Sequence, residues 1–466
     1  MDVICHQLKP ALTALQSGYQ PETLVVGLSG GIDSVVLLHA LVTLRQHSDA
    51  DIKALQAVYV NHGISANAMQ WQTFCQHYCE QLDVPFYARP VNVLAGPRES
   101  LEAVARNARY NVLLTQAQQS GGALLTAHHQ DDQLETVLLQ LKRGAGPKGL
   151  SGMASISETG GIAIARPMLG VSRQQIEDYA RAHGLSWVDD ESNADVQYDR
   201  NFLRHAILPL LTERWPAMAQ TVSRSAALCG EQQLLMDEVC DERLASMTCA
   251  SNERISVTAL KQVSPHWQRA LIRRWLAQHN LLMPSAKQLE QLTSMLCANP
   301  DSQPLVKLKA GEIRRFKDEL YYLHNVSEAV TLMPQAIAPE TDLQLDAQGI
   351  ILRLDVGLQG EQSGHTGSAP TGTPLTLVSQ DKDINTVATP ALSIKVKPTG
   401  KAHHKPLKQW LKEWHIPPWE RGKILLVASK NEPVALIVNG NVLALDNHGD
   451  VPGILSVRHN NHNNAN

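Results

Sequence analysis

The chain has 466 residues, of which 43% are hydrophobic and 18% charged, with a formal net charge of −4. That length predicts two or three domains with room for a full core. The balance excludes a uniformly basic nucleic-acid binder, though a local basic surface stays open.

No apolar run reaches the roughly eighteen residues of a membrane span. The start, "MDVICHQLKPALTALQ", lacks the basic and apolar regions of a signal peptide, so a cytoplasmic protein is expected. The seven cysteines include no C-x-x-C pair. Cys75 and Cys79 share a helical face with Trp71, Phe74, Tyr78 and Leu82, which predicts buried core thiols. A disulfide framework does not suit this size and compartment.

Residues 1 to about 215 alternate strand and helix signals. "TLVVGLS", "IKALQAVYVNHG", "PFYARPVNV" and "ALLTAHH" read as strands, each followed by a helix. Such alternation predicts an α/β domain with a parallel sheet covered on both faces, with ligands at the carboxyl ends of its strands. Residues 216–330 read as a helical domain, closed by the alternating stretch "LVKLKAGEIRRFKDELYYLHN". A linker or extended segment is expected over 331–379, including the Gly/Ser/Thr/Pro-rich run 359–374. A small mixed α+β domain follows over 380–457, and then a polar, disordered tail, 458–466.

The first strand ends in Ser29-Gly30-Gly31-Ile32-Asp33-Ser34. Glycines let backbone N–H groups approach a phosphate, and the helix that follows favours an anion at its start. The lysine of a Walker A loop is missing. Asp33 beside phosphates calls for a cation between them, and Mg²⁺ answers that need. The alternative is a plain helix cap by Asp33 and Ser34.

"SGGIDS" resembles the loop of the PP-loop ATP-pyrophosphatases, which cleave ATP between the α- and β-phosphates. The resemblance implies a Rossmann-like fold and a loop, Ser29 to Ser34, that holds pyrophosphate.

The fourth strand leads into "TAHHQDDQLET". Asp132 and Glu135, three residues apart, share one helix face and could hold Mg²⁺ or an amine. A zinc site with His128 and His129 lacks the H-E-x-x-H spacing. An acidic first turn that serves only the helix dipole is the other alternative. Arg106 and Arg109, one turn apart, could clamp phosphate. "RGAGPKGLSGM", "ARPMLGVSRQQIEDYA" and "WVDDESNADVQYDRNFLRH" follow in order, the last carrying Asp190, Ser192, Asn193, Arg200, Asn201 and Arg204.

In that order these motifs resemble the tRNA(Ile)-lysidine synthetases, with Met168 standing where their pattern has Leu. The stretch "TGKAHHKPLKQWLKEWHIPPWERGKILLV" is a looser match to their C-terminal domain. The resemblance implies a ligase that uses ATP to adenylate O2 of the wobble cytidine. The ε-amine of free L-lysine then displaces AMP at C2. It places ATP on Ser29, Gly30, Gly31, Ile32, Asp33 and Ser34, Mg²⁺ at Asp33, and phosphate at Arg109. Asp33, Asp132, Glu135 and Arg200 carry the catalysis, with His128 at the substrate. The implied partners are an isoleucine tRNA with anticodon CAU and free lysine, with no membrane and with a homodimer as the open assembly state.

Between residues 395 and 423, eight Lys or Arg residues face only Glu413 and Glu420. Lys401, Lys405 and Lys408 are candidates for RNA phosphate, while Trp410 and Trp414 are expected in the core. Arg314, Arg315 and Lys317 form a smaller basic cluster. The competing reading is another PP-loop tRNA-modifying enzyme, such as a 2-thiocytidine synthetase. A tRNA-binding protein without catalysis is the reading from a different class.

Overall fold

The computed structural model describes residues 3–47, 51–61, 63, 65, 67–91, 101–189, 195–249, 253–279, 281, 283–299, 302–324, 332–338, 340–345, 350–356, 373–377, 385–438, 440–446 and 451–459. The chain divides into two compact units, Met1–Asp241 and Glu242–Asn466.

The first unit opens with α1 (Val3–Tyr19), which buries Ile4, Cys5, Leu8, Leu12 and Leu15 at helical spacing. Then come β1 (Leu24–Gly27), α2 (Ile32–Gln46), β2 (Leu55–Asn61), α3 (Ala68–Gln81), β3 (Phe86–Pro90), α4 (Leu101–Gln119) and β4 (Ala123–Leu125). They continue into α5 (Gln130–Lys142), α6 (Pro147–Leu150), β5 (Ile156–Thr159), β6 (Ile162–Ala165) and α7 (Arg173–Ala182). α8 (Asp199–Phe202), a π-helical turn (Leu203–Ile207), α9 (Leu208–Arg214) and α10 (Met218–Ala245) complete the order.

The six strands run β3-β2-β1-β4-β6-β5. β1 pairs in parallel with β2 and β4, β2 with β3, and β4 with β6; β5 alone is antiparallel. The parallel α/β fold expected of this region is therefore present. Val25, Val26, Leu124 and Leu125 are almost wholly buried, as strands covered on both faces require. One face packs on a core containing Leu8, Leu37, Leu41 and Ile176, and the other on Leu113 and Ala117. The order reverses on either side of the β1–β4 pair, so the loops leaving those two strands open a crevice at their carboxyl ends.

Cys75 and Cys79 are fully buried in this core. Met168 is fully buried too, an apolar exchange that the packing accepts.

The second unit holds more strand than its helical pattern suggests. β7 (Arg254–Ser256), β8 (Leu305–Leu308), β9 (Gly311–Phe316) and β10 (Glu319–Leu323) form a sheet of order β7-β10-β9-β8. It accompanies helices Val257–Lys261, Pro265–Gln278 and Ala286–Met295. The stretch expected as a hairpin supplies β8, β9 and β10, three of the four strands of this sheet, and β7 is too short to show alternation.

The stretch expected as a linker carries strands at Gln335–Ala336, Asp342–Leu345, Ile350–Val356 and Thr373–Leu377. Ile350–Val356 pairs along its whole length with Val451–His459, which extends two residues into the expected tail. Leu352 and Leu354 are fully buried in this pairing. Alternation too short to stand out beside a polar run is what hid these strands. The rest of the tail and residues 359–372 lie outside the described residues.

Candidate active site

The loop after β1 is braced from within. Gly31 caps α2 with no side-chain acceptor, leaving the first helical N–H groups to an incoming anion. The Ser34 hydroxyl is buried and donates to the Gly31 carbonyl at 2.9 Å. It also accepts from the Ser29 N–H at 3.2 Å. Ser34 therefore shapes the loop, and the capping alternative is not what the hydroxyl does. Ser29 is exposed at the mouth, and the Ile32 side chain is buried in the core.

Gly30 has φ of +87°, and its carbonyl accepts from Val188 N–H at 3.0 Å. A Cβ there would stand 2.7 Å from Val188 Cγ2. Glycine is thus required by both backbone and space.

The loop after β4 delivers the second set. His129 is the N-cap of α5: its Nδ1 accepts from Asp131 N–H at 3.3 Å, and its own N–H donates to Asp132 Oδ2 at 3.1 Å. This capping box leaves Nε2 facing both carboxylates, 3.8 Å from Asp33 Oδ2 and 3.5 Å from Asp132 Oδ2. The two strand-end loops therefore meet at His129.

Burial raises the Asp33 carboxyl above its ordinary value, against the opposing charges of His129 and Arg173. Burial also works to raise Asp132, but the imidazoles of His129 and His128, the His129 N–H and Arg204 bring it below the usual range. Burial raises Glu135, with Arg204 opposing.

His128 hydrogen-bonds Thr126 Oγ1 through Nδ1 at 2.9 Å. Burial pushes its pKa down to about 3; Asp132 opposes, and the guanidiniums of Arg166, Arg106 and Arg200 add to the fall. It is a neutral imidazole at neutral pH. Burial also lowers Arg109, and its cationic neighbours Arg106 and Arg200 lower it further. This wall of the crevice favours an anion.

Arg200 lies 3.4 Å from Glu135 and donates to Thr136 Oγ1 at 3.3 Å. Asp33, His128, Asp132, Glu135 and Arg200 thus form one connected neighbourhood. Asp190, Ser192 and Asn193 lie outside the described residues. Three arginines gain weight that motif reading did not give them. Arg173 Nη1 donates to Asp33 Oδ1 at 2.9 Å. Arg204 bridges Glu135 and Asp132. Arg166 donates to the Ala154 carbonyl and to Ser157, while its Nε is buried without a partner. Arg204 was the most accessible to sequence reasoning, four residues after Arg200 and so near it on one helical face. Nothing in the spacing of Arg173 points to Asp33.

Among the described residues no group of three His, Cys, Asp or Glu side chains is placed to hold a metal, so the zinc alternative gains no support there. Mg²⁺ asks less, since one or two carboxylates and phosphate oxygens suffice. Asp33 fits: a third of its side chain reaches solvent beside the open helix start.

In the second unit, Trp410 donates to the Val396 carbonyl at 2.9 Å and stacks on Trp414, so both belong to a core. Lys401 and Lys408 are exposed. Lys405 is partnered, at 2.6 Å from Glu413 and 4.7 Å from the Trp410 ring. The smaller basic cluster is largely internal. Arg315 is buried and donates to the carbonyls of Met295, Leu296 and Ala298, while Arg314 stacks on Trp419.

Family models match three stretches: a PP-loop domain over residues 4–211, a TilS substrate binding domain over 255–321 and a TilS substrate C-terminal domain over 386–448. A tRNA(Ile)-lysidine synthase of Pectobacterium atrosepticum is 38% identical over 419 residues, covering 89% of this chain and 90% of that protein. One from Vibrio parahaemolyticus is 39% identical, covering 91% and 92%. One from an Enterobacter species is 40% identical, covering 87% and 90%. No described helix is long and apolar enough to cross a membrane.

Proposed function

The chain belongs to the tRNA(Ile)-lysidine synthase family, ATP-using PP-loop enzymes that act on tRNA, and on that premise we propose how its own residues form lysidine. The acceptor is the wobble cytidine of the CAU-anticodon isoleucine tRNA, and the donor is free L-lysine. The observation that carries this assignment is the position of His129, whose Nε2 faces Asp33 of the glycine loop and Asp132 of the acidic turn.

The open N–H groups at the start of α2 bind the leaving pyrophosphate, and Gly30 keeps the loop clear of side chain. Asp33 would hold Mg²⁺, which when bound would neutralise the negative charge that builds up at the phosphates. Arg109, beside Arg106 and Arg200, contacts phosphate. The cytidine O2 attacks the α-phosphorus of ATP, the α–β phosphoanhydride breaks, and pyrophosphate leaves. The lysine ε-amine, in its neutral form, then attacks C2. The C2–O2 bond breaks, AMP departs with O2, and the amine's proton passes to a nearby acceptor.

Asp132 orients the amine, and Arg200 with neutral His128 lines the base. Excluding water matters, because the adenylated base would otherwise be hydrolysed back to cytidine. Lys401 and Lys408 contribute phosphate contacts to the tRNA. A cytoplasmic setting and assembly as a homodimer complete the proposal.

The 2-thiocytidine alternative finds no C-x-x-C pair in the sequence. The test is release of AMP and pyrophosphate from α-labelled ATP with Mg²⁺, with and without lysine, against isoleucine and methionine tRNAs of the same anticodon. Turnover requiring lysine and the isoleucine tRNA, with labelled lysine retained on the RNA, is the expected result. Pyrophosphate release without lysine entering the RNA overturns the nucleophile; no ATP cleavage overturns the whole assignment.

A further inference from the structure

Glu135 has no exposed surface and no free oxygen. Its Oε1 accepts from Arg204 Nε at 2.8 Å and its Oε2 from Arg204 Nη2 at 3.1 Å, while Arg200 Nε lies 3.4 Å from Oε2. An incoming amine therefore has no face of Glu135 to meet. Asp132 is different. Its Oδ1 accepts from Arg204 Nη2 at 3.1 Å, its Oδ2 accepts the His129 N–H, and its side chain keeps 13% of its exposure.

Arg204 is thus the only described side chain bonded to both carboxylates. It rides on the π-helical turn Leu203–Ile207. Such turns shift a side chain off ordinary helical spacing and concentrate at functional sites.

We infer that Arg204 is a positioning residue for the reaction: Glu135 anchors its guanidinium, and the guanidinium fixes the Asp132 carboxylate at the angle that receives the substrate amine. Glu135 then acts only through the arginines. This inference rests on the reading of Asp132 as the group that meets the amine.

Three physical points support it. A bidentate guanidinium–carboxylate pair fixes orientation as well as charge. Glu135 is wholly buried, so salt reaches the pair only from the side of Arg204, whose side chain is 37% exposed. Small displacements of a positioning group have large kinetic effects, on the order of a hundredfold for about 1 Å.

The test uses the full-length enzyme with Arg204→Gln, Arg204→Lys, Glu135→Gln and the double variant Glu135→Gln/Arg204→Gln. The readouts are kcat and KM for lysine and for ATP separately, and the titration of the Asp132 carboxyl by ¹³C NMR without substrate. R204Q is expected to lower kcat/KM for lysine on the order of a hundredfold, to leave the ATP KM unchanged, and to move the Asp132 titration upward. E135Q should produce the same kinetic loss, and the double variant should be no worse than either single one, because the two residues act as a unit. R204K keeps the charge but not the fork, and should restore the titration while recovering only part of the rate.

A folded R204Q with unchanged lysine kinetics and unchanged Asp132 titration overturns the inference, as does simple additivity in the double variant. If R204Q does not fold, R204K decides: full activity for lysine in R204K overturns the clamp. Failure of the proposed function reads differently. A wild-type enzyme that never incorporates lysine removes that reading, while the Asp132 titration still judges the clamp.

Discussion

Arg173 and Asp33 stand 140 residues apart in the chain, yet Arg173 Nη1 donates to Asp33 Oδ1 at 2.9 Å. The arginine leaves the first turn of α7 and reaches the first turn of α2, where the glycine loop ends. The carboxylate assigned to Mg²⁺ therefore already has a cation beside it. That cation is 42% exposed and also pairs with Glu177.

Replacing Asp33 with Asn separates stability from function. Burial holds the Asp33 pKa above its ordinary 3.8. Between that value and the folded one, the native state holds a proton that the unfolded chain has released. Stability therefore falls as pH rises through that window, and the cost is complete once the folded carboxyl is ionised. Asn removes it, so Tm of D33N at pH 7 should rise by about 1–2 °C, a modest figure because a third of the side chain is solvated. AMP release should fall about a hundredfold or more. Calorimetry and the labelled-ATP assay decide, and a lower Tm at pH 7 contradicts the sign.

Asp132 has the opposite sign. Its pKa lies below 3.8 because the imidazoles, the His129 N–H and Arg204 overcome burial. Its stabilisation is complete above that ordinary value and is lost as pH falls through the folded one. Asp132→Asn should cost about 1.5–3 kcal/mol at pH 7, the range for hydrogen bonds to a charged group. The gap to wild type should close in strong acid. Urea melts across pH measure this, and a gap that stays constant with pH would show that charge is not the cause.

Gly30→Ala tests the loop itself. At φ of +87° an L-residue is strained by roughly 1–2 kcal/mol, and the new methyl group meets Val188 Cγ2. The variant should lose at least that much stability, and its KM for ATP should rise through the displaced loop. A Val188→Ala change in the same chain should recover the steric part but not the backbone part. Equal stability of G30A and wild type would mean that the loop adapts freely.

Lys401 and Lys408 are separable from Lys405. Replacing both exposed lysines with Ala should reduce the slope of log affinity for tRNA against log salt by about 0.7–0.9 for each phosphate that is no longer neutralised. ATP binding should not change. Lys405→Ala should instead loosen the packing against Glu413 and Trp410 and lower the unfolding temperature. Filter binding at several salt concentrations and thermal melts distinguish the two effects. An unchanged salt slope in the double variant removes both lysines from the RNA surface.

The sequence makes some of this plain and conceals the rest. The parallel sheet is legible because each strand is a β-branched run before a helical repeat, and the glycine loop is legible because a strand, two glycines and a helix are contiguous. Asp132 and Glu135 could be placed on one helix face from spacing alone. What spacing could not show is that Glu135 faces inward while Asp132 keeps a solvent edge, because that depends on which arginines pack above them. Arg173 and Arg204 arrive from distant segments, and ion pairs between distant segments leave no periodicity. The strands within residues 335–356 were obscured differently, by alternation too short to stand out against a polar neighbourhood.

The separation of these partners bears on how the protein is made. The glycine loop leaves the ribosome early, but Asp33 has no Arg173, and Glu135 no Arg204, until most of the first unit has been translated. At roughly 5–20 residues per second, that interval is on the order of ten seconds for the longer pair. During it, three carboxylates destined for one crevice belong to a nascent chain without the arginines that pair them, and a truncated product ending before Arg173 would carry the whole phosphate loop without Arg173, Arg200 or Arg204. Any shortened version of this enzyme made for study should therefore extend past Arg204.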